Sequence, residues 1–248
     1  MEVNALLKLY QIGSYDLAEN LAKDVVQKFP YHQFGWKILG ALFNQTGRLD
    51  EALIANQKSV EISPNDAEAH RNLGITLQQL GRQEEAHERY EKAISIKPSF
   101  AEAYNSIGNT QKELGNLEEA AANYRKATVI KTDFAEAYFN LGSTLEVLRR
   151  LEEAEACYIK AITIKPRFVE AHNNLGNTQQ ELNRLVDAEA SYRNAIAFKP
   201  DYAEAYYNLG VTLKELGRIK ESFAVIIKSI KIKLLPEVKF FLLNLQRK

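Results

Sequence analysis

Written in rows of 34 residues from Gln33, the chain aligns column by column without a single gap. Internal repetition at such a period excludes an ordinary globular core and demands a stack of small units, each unable to bury its apolar face alone. Full rows are 33–66, 67–100, 101–134, 135–168, 169–202 and 203–236. Residues 1–32 read as a partial first repeat, and 237–248 as a tail.

Glycine and proline give each row its shape. Gly40, Gly74, Gly108, Gly142, Gly176 and Gly210 share one column inside a helical pattern. There glycine costs roughly 1 kcal/mol against alanine, which is acceptable if a second helix must come close. The column Ala52, Ala86, Ala120, Ala154 and Ala188 is expected to supply the small opposing surface. Gly13, Gly47, Gly81, Gly115 and Gly217 form a second column, suited to a left-handed residue ending a first helix. Arg149 and Asn183 replace it in two rows; Asn tolerates that conformation, Arg less so. Pro30, Pro64, Pro98, Pro166 and Pro200 then stop the second helix. Asn65, Ser99, Asp133 and Asp201 each precede a glutamate by three residues, the spacing of a capping box. Each row therefore reads helix A, turn, helix B, turn. In the row from Ala67 the helices are expected over about 67–80 and 84–97, with Leu73, Leu77, Ala86, Tyr90, Ala93 and Ile94 on the apolar face.

Rows such as AEAYFNLGSTLEVLRRLEEAEACYIKAITIKPRF resemble the tetratricopeptide repeat. The matching features are an early aromatic (Trp36, Tyr104, Tyr138, Tyr206), then Leu-Gly, Ala, an aromatic, Ala and Pro. The resemblance covers nearly the whole chain. It implies an all-α, right-handed superhelical solenoid with A helices lining a concave face, and a protein or an extended peptide as partner. In style the rows are similar to the repeat region of O-linked N-acetylglucosamine transferases and to bacterial repeat proteins fused to transferases. No transferase domain is present in the chain.

The groove-facing columns carry most of the functional information. One holds Asn72, Ser106, Asn140, Asn174 and Asn208. Side-chain amides donate and accept, so they suit an extended backbone. In the transferase relatives such a ladder binds peptide main chain, and by resemblance Asn72, Asn140, Asn174 and Asn208 would do so here. The other reading is that these asparagines brace neighbouring helices. Two rows also share N-x-x-x-N-T-Q, with Asn105 and Asn109 in one and Asn173 and Asn177 in the other. Residues four apart share a helix face. Between them stand Arg71 and Ile75, Phe139 and Ser143, Tyr207 and Val211, so amide bands would alternate with aromatic or aliphatic ones. A 68-residue duplication without present role gives the same pattern. A clamp for a C-terminal carboxylate is not expected: Lys37 is present, but Ala41, Glu102 and Ser106 fill the companion positions. The glutamates Glu68, Glu102, Glu136, Glu170 and Glu204 read as first-turn residues favoured by the helix dipole and capping, not as an acidic stripe.

Composition narrows the partner. Lys plus Arg and Asp plus Glu both total 32, so no basic excess offers itself to nucleic acid. Cys157 is the sole cysteine, which excludes an internal disulfide and fits a reducing compartment. Residues 1–10 lack the pattern of a signal peptide, and no apolar run spans a membrane. A cytoplasmic location is expected. His70 and His172 stand in the aromatic column and read as packing residues. There is no metal, phosphate-loop or nucleophile-elbow motif, so neither catalysis nor a cofactor is expected. The last row puts Phe223 and Ile227 on a normally polar face, and Val238, Phe241, Leu242 and Leu245 form a stripe that would cover them as a capping helix over 237–247. Alternatives are self-association through the N-terminal helices or the tail, and service as the targeting part of a larger enzyme.

Overall fold

The computed structural model describes residues 2–245, with side chains for 5–234. Among the described residues all regular structure is helical. The fourteen helices form seven pairs: α1 (Glu2–Gln11) with α2 (Tyr15–Lys28), α3 (Gln33–Gln45) with α4 (Leu49–Ile62), α5 (Ala67–Gln79) with α6 (Gln83–Ile96), and α7 (Ala101–Glu113) with α8 (Leu117–Ile130). There follow α9 (Ala135–Val147) with α10 (Leu151–Ile164), α11 (Val169–Glu181) with α12 (Leu185–Phe198), and α13 (Ala203–Glu215) with α14 (Ile219–Leu245). The architecture is an all-α solenoid. Residues 1–131 and 132–248 form two compact units. In each, successive A helices touch one another while successive B helices do not among the described residues, so the A helices line the inner side of the curve.

Helix A closes on helix B through an aromatic column. Tyr90, Tyr124, Tyr158 and Tyr192 are fully buried. A Cβ on Gly74, Gly108, Gly142 or Gly176 would lie 2.5, 2.6, 2.9 or 2.6 Å from the Cε1 of its own row's tyrosine. The glycine column is therefore cut to admit a tyrosine ring, not to meet the alanines expected opposite it. Asn56 takes the place of the ring against Gly40, and Ile226 against Gly210. The early aromatic of helix A ties back to the preceding proline: the indole of Trp36 donates to Pro30 O at 2.8 Å, and the imidazoles of His70 and His172 lie 2.9 Å from Pro64 O and Pro166 O. Both histidines are thus packing residues with a hydrogen bond.

Two local expectations are corrected. Capping boxes were anticipated at four helix starts, but α7, α9 and α13 follow Phe100, Phe134 and Tyr202 without a side-chain cap. An aromatic holds the N-cap position and leaves Ser99, Asp133 and Asp201 one residue outside. Only α5 among these four is capped, by Asp66 rather than Asn65, with Oδ1 accepting from the Glu68 and Ala69 N–H groups. The glutamates pair instead: Glu68 with Lys37, Glu102 with Lys131 at 2.9 Å, and Glu136 with Lys165 at 2.9 Å. The second correction lies at the C-terminus. The separate capping helix expected over 237–247 is absent as such, because α14 runs unbroken through Pro236 to Leu245. Leu234 replaces the proline that ends five other B helices. Fourteen positions along one helix is about 21 Å, too far for residue 237 to fold onto Phe223. Phe223 and Ile227 stay exposed; the side chains meant to cover them lie outside the described residues.

Arg149 and Asn183 occupy the turn column with φ 61° and 59°, beside glycines at 74° to 82°. A left-handed non-glycine residue costs roughly 1–2 kcal/mol. Arg149→Gly is expected to raise stability by about 1 kcal/mol, because the exposed Arg149–Glu181 pair it loses contributes little. Urea unfolding checks this.

Acid lability also follows from the fold. Glu19 accepts from Arg48 at 2.8 Å, Glu155 from Arg184 at 2.5 Å and Glu189 from Arg218 at 2.6 Å, each joining a B helix to the turn of the next repeat. Hydrogen bonds from Arg48 and Lys23 hold Glu19 below the ordinary 4.5. Burial would raise Glu189, but hydrogen bonds from Arg193 and Arg218 outweigh it and keep the carboxyl low. A depressed carboxyl contributes stability above its unfolded pKa and loses it as pH falls through the folded one. The melting temperature is therefore expected to drop below pH 4.5 and to drop less steeply in Glu189→Gln.

Candidate functional site

The inner face of each unit is built from the outward positions of its A helices. In residues 132–248 these include Phe139, Asn140, Asn173, Asn174, Asn177, Tyr207 and Asn208. Asn173 is fully buried, against its expected role in the groove: its amide donates to Glu204 at 3.1 Å and its oxygen accepts from Asn208 at 3.2 Å. Asn208 also donates to Asn177 at 3.0 Å, and Asn177 accepts from the Tyr192 hydroxyl at 2.9 Å. Gln180 joins the same network, accepting from Tyr192 and Thr212, each at 3.2 Å. These amides therefore brace α11 against α12 and α13. Burial and nearby glutamates push the Tyr192 phenol well above its ordinary range, so it stays a neutral donor.

Other members are more open. Asn174 is half-buried and reaches the Tyr158 hydroxyl only at 3.4 Å. Asn140 is half-buried on α9, with its main-chain carbonyl accepting from Thr144. Tyr207 is 53% exposed. Phe139 packs on Phe168 and Tyr158, with ring centroids 4.8 and 5.9 Å away, and so is partly committed to the interior.

In residues 1–131 the inner face is more polar. Asn72 is half-buried, and Ser106 turns its hydroxyl onto Glu102 O at 2.9 Å, removing that rung. Asn105 and Asn109 line a 340 Å³ cavity with Arg71, Gln78, Gln79 and Glu113. The Asn109 oxygen accepts from Tyr124 at 2.8 Å, as Asn177 does from Tyr192. The shared N-x-x-x-N motif thus places one asparagine to receive the buried tyrosine. Arg71, placed in the groove-facing bands by its column, lacks the counter-charge that Lys37 has in the preceding row. Its signal was Phe100, which stands where the preceding row has the acidic Asp66.

No group of histidine, cysteine or acidic residues among the described ones is arranged to hold a metal ion, and no helix there is long and apolar enough to cross a membrane. Cys157 is half-buried on α10.

Tetratricopeptide repeat family models match residues 36–99, 90–122, 135–168 and 203–234, and a TPR repeat model matches 109–146 and 181–217. The chain belongs to the tetratricopeptide repeat family. Among solved structures it is similar to YrrB, described as a TPR protein with an unusual peptide-binding site, at 25% identity and TM-score 0.64 over 73% of this chain and 93% of that one. It is similar to MamA at 23% identity and TM-score 0.64, covering 66% of this chain and 96% of that one. PilF of Pseudomonas aeruginosa, at 21% identity and TM-score 0.73, covers 82% and 92%. No curated protein matches in sequence.

Proposed function

We propose that this chain is a non-catalytic cytoplasmic scaffold that holds an extended protein segment along the inner faces formed by its A helices. The observation that carries the reading is the composition of those faces: half-buried amides at Asn72, Asn140 and Asn174, with an exposed aromatic at Tyr207. Amides meet main-chain donors and acceptors without regard to side-chain identity. Exposed tyrosine adds contact area at low entropic cost. The peptide-binding site of YrrB supports the same use of the same fold. The targeting region of a larger transferase-type enzyme is the alternative, and it rests on sequence resemblance.

The test is affinity capture from lysate with wild type beside an Asn140→Ala, Asn174→Ala, Tyr207→Ala variant. Asn173, Asn177 and Asn208 are left intact because they brace the fold. Loss of partners by a variant with unchanged helicity and melting temperature supports the reading. Equal retention moves function off these faces.

Self-association is a second reading. Ile219, Phe223, Ile227, Ile230 and Leu234 make an exposed apolar stripe along α14, which favours a second copy of the chain packed on that helix. Light scattering over a concentration series decides it: a constant monomer mass removes this reading.

A further inference from the structure

We propose that the cavity between α5 and α7 is a carboxylate-binding site, in which Arg71 receives an aspartate or glutamate side chain of the bound segment. The proposal rests on the peptide-binding reading above and names the chemistry of one position in the ligand.

The argument begins with a comparison between repeats. Lys37 and Arg71 occupy the same column, 34 residues apart. Lys37 is satisfied within the protein, by Asp66 at 3.2 Å and by Glu68. The positions equivalent to those two acids, seen from Arg71, are Phe100 and Glu102. Phe100 is buried and apolar, and the Glu102 carboxylate goes to Lys131 at 2.9 Å. Arg71 is left without an ion pair or hydrogen bond, and its Nε is buried with no partner. Arg71 is half-buried, and a sealed guanidinium N–H without an acceptor is costly. Burial pulls it below its ordinary range, and the more distant Tyr90, Glu102 and Glu68 offset this only in part.

The surroundings complete the site. The cavity holds 340 Å³, room for a side chain. Gln79 also lines the cavity and makes no hydrogen bond among the described residues, so its amide donors are available there. Glu113, the sole carboxylate lining the cavity, accepts from Gln78 at 3.0 Å and Gln83 at 2.9 Å and is not among the charges that act on Arg71. A planar fork with unused donors, in a cavity lined by further amide N–H groups, matches a carboxylate in two-point geometry.

A library of random twelve-residue peptides, displayed without a free C-terminus, is selected on wild type and on Arg71→Gln. Wild type is expected to enrich peptides with Asp or Glu at one fixed register. The best of these should bind roughly tenfold or more weaker to Arg71→Gln, or when its acid is changed to the amide. The two losses should not add, because they break one contact. Arg71→Gln should melt at the same temperature as wild type or higher, since it removes a half-buried charge with no ion-pair partner; a lower melting temperature would make Arg71 a structural residue and overturn the proposal. Selected peptides without an acidic register, or binding indifferent to Arg71→Gln, would also overturn it while leaving peptide binding in place. Failure to select any peptide would remove the peptide-binding reading and the site with it. Competition by inorganic phosphate below the concentration at which acetate competes would assign the pocket to a phosphate instead.

Discussion

Replacing Tyr192 by alanine is expected to destabilise the chain by about 3–5 kcal/mol, the range for emptying a large aromatic site. The ring is fully buried between the backbone of Gly176 and the layer formed by Ala188, Leu209 and Leu213. Its hydroxyl holds Asn177 and Gln180. Gly176 has no side chain with which to fill the space. Tyr192→Phe keeps the ring and loses about 0.5–1.5 kcal/mol, with Asn177 still satisfied by Asn208. Urea denaturation of the three proteins side by side checks both values. A loss below 1 kcal/mol in the alanine variant would mean that the pair closes without the ring.

The second large effect comes from the other partner of the same contact. Gly108→Val should cost about 3 kcal/mol, at the upper end of overpacking. A Cβ there would lie 2.6 Å from Cε1 and 2.8 Å from Cδ1 of Tyr124, a fully buried ring. Gained helix propensity returns less than 1 kcal/mol. The sign of the coupling tests the cause. Gly108→Ala and Tyr124→Leu are each destabilising alone, but together they should cost less than their sum by roughly 1 kcal/mol, because the smaller side chain admits the new methyl. Strict additivity would place the glycine requirement elsewhere.

The repeat, the helix pairing and the turns were legible because each rests on a residue whose effect is local. Glycine with positive φ and proline two residues past a helix end act through their own backbone, so one row suffices to read them. Relations across rows were harder. That Gly142 faces Tyr158 and not an alanine depends on how one helix rolls against another, which period alone leaves open. The starts of α7, α9 and α13 depart from the capping-box spacing because an aromatic takes the cap position, a packing preference that overrides local hydrogen bonding. The division of labour among the asparagines was equally hidden. Asn173 and Asn174 are neighbours in sequence, yet one is sealed inside and the other faces outward. Arg71 was legible in principle, by asking of each charged column whether its counter-charge recurs in the next row.

The central claim, that the inner faces do the work, is tested most directly by site-specific photocrosslinking. A photoreactive phenylalanine derivative is placed at Tyr207, on helix A, or at Val186, on helix B, both exposed at the surface. Each protein is irradiated with a captured partner. Crosslinking from position 207 and not from 186 is the result predicted here. Crosslinking from 186 alone would contradict the account and put the partner on the outer side.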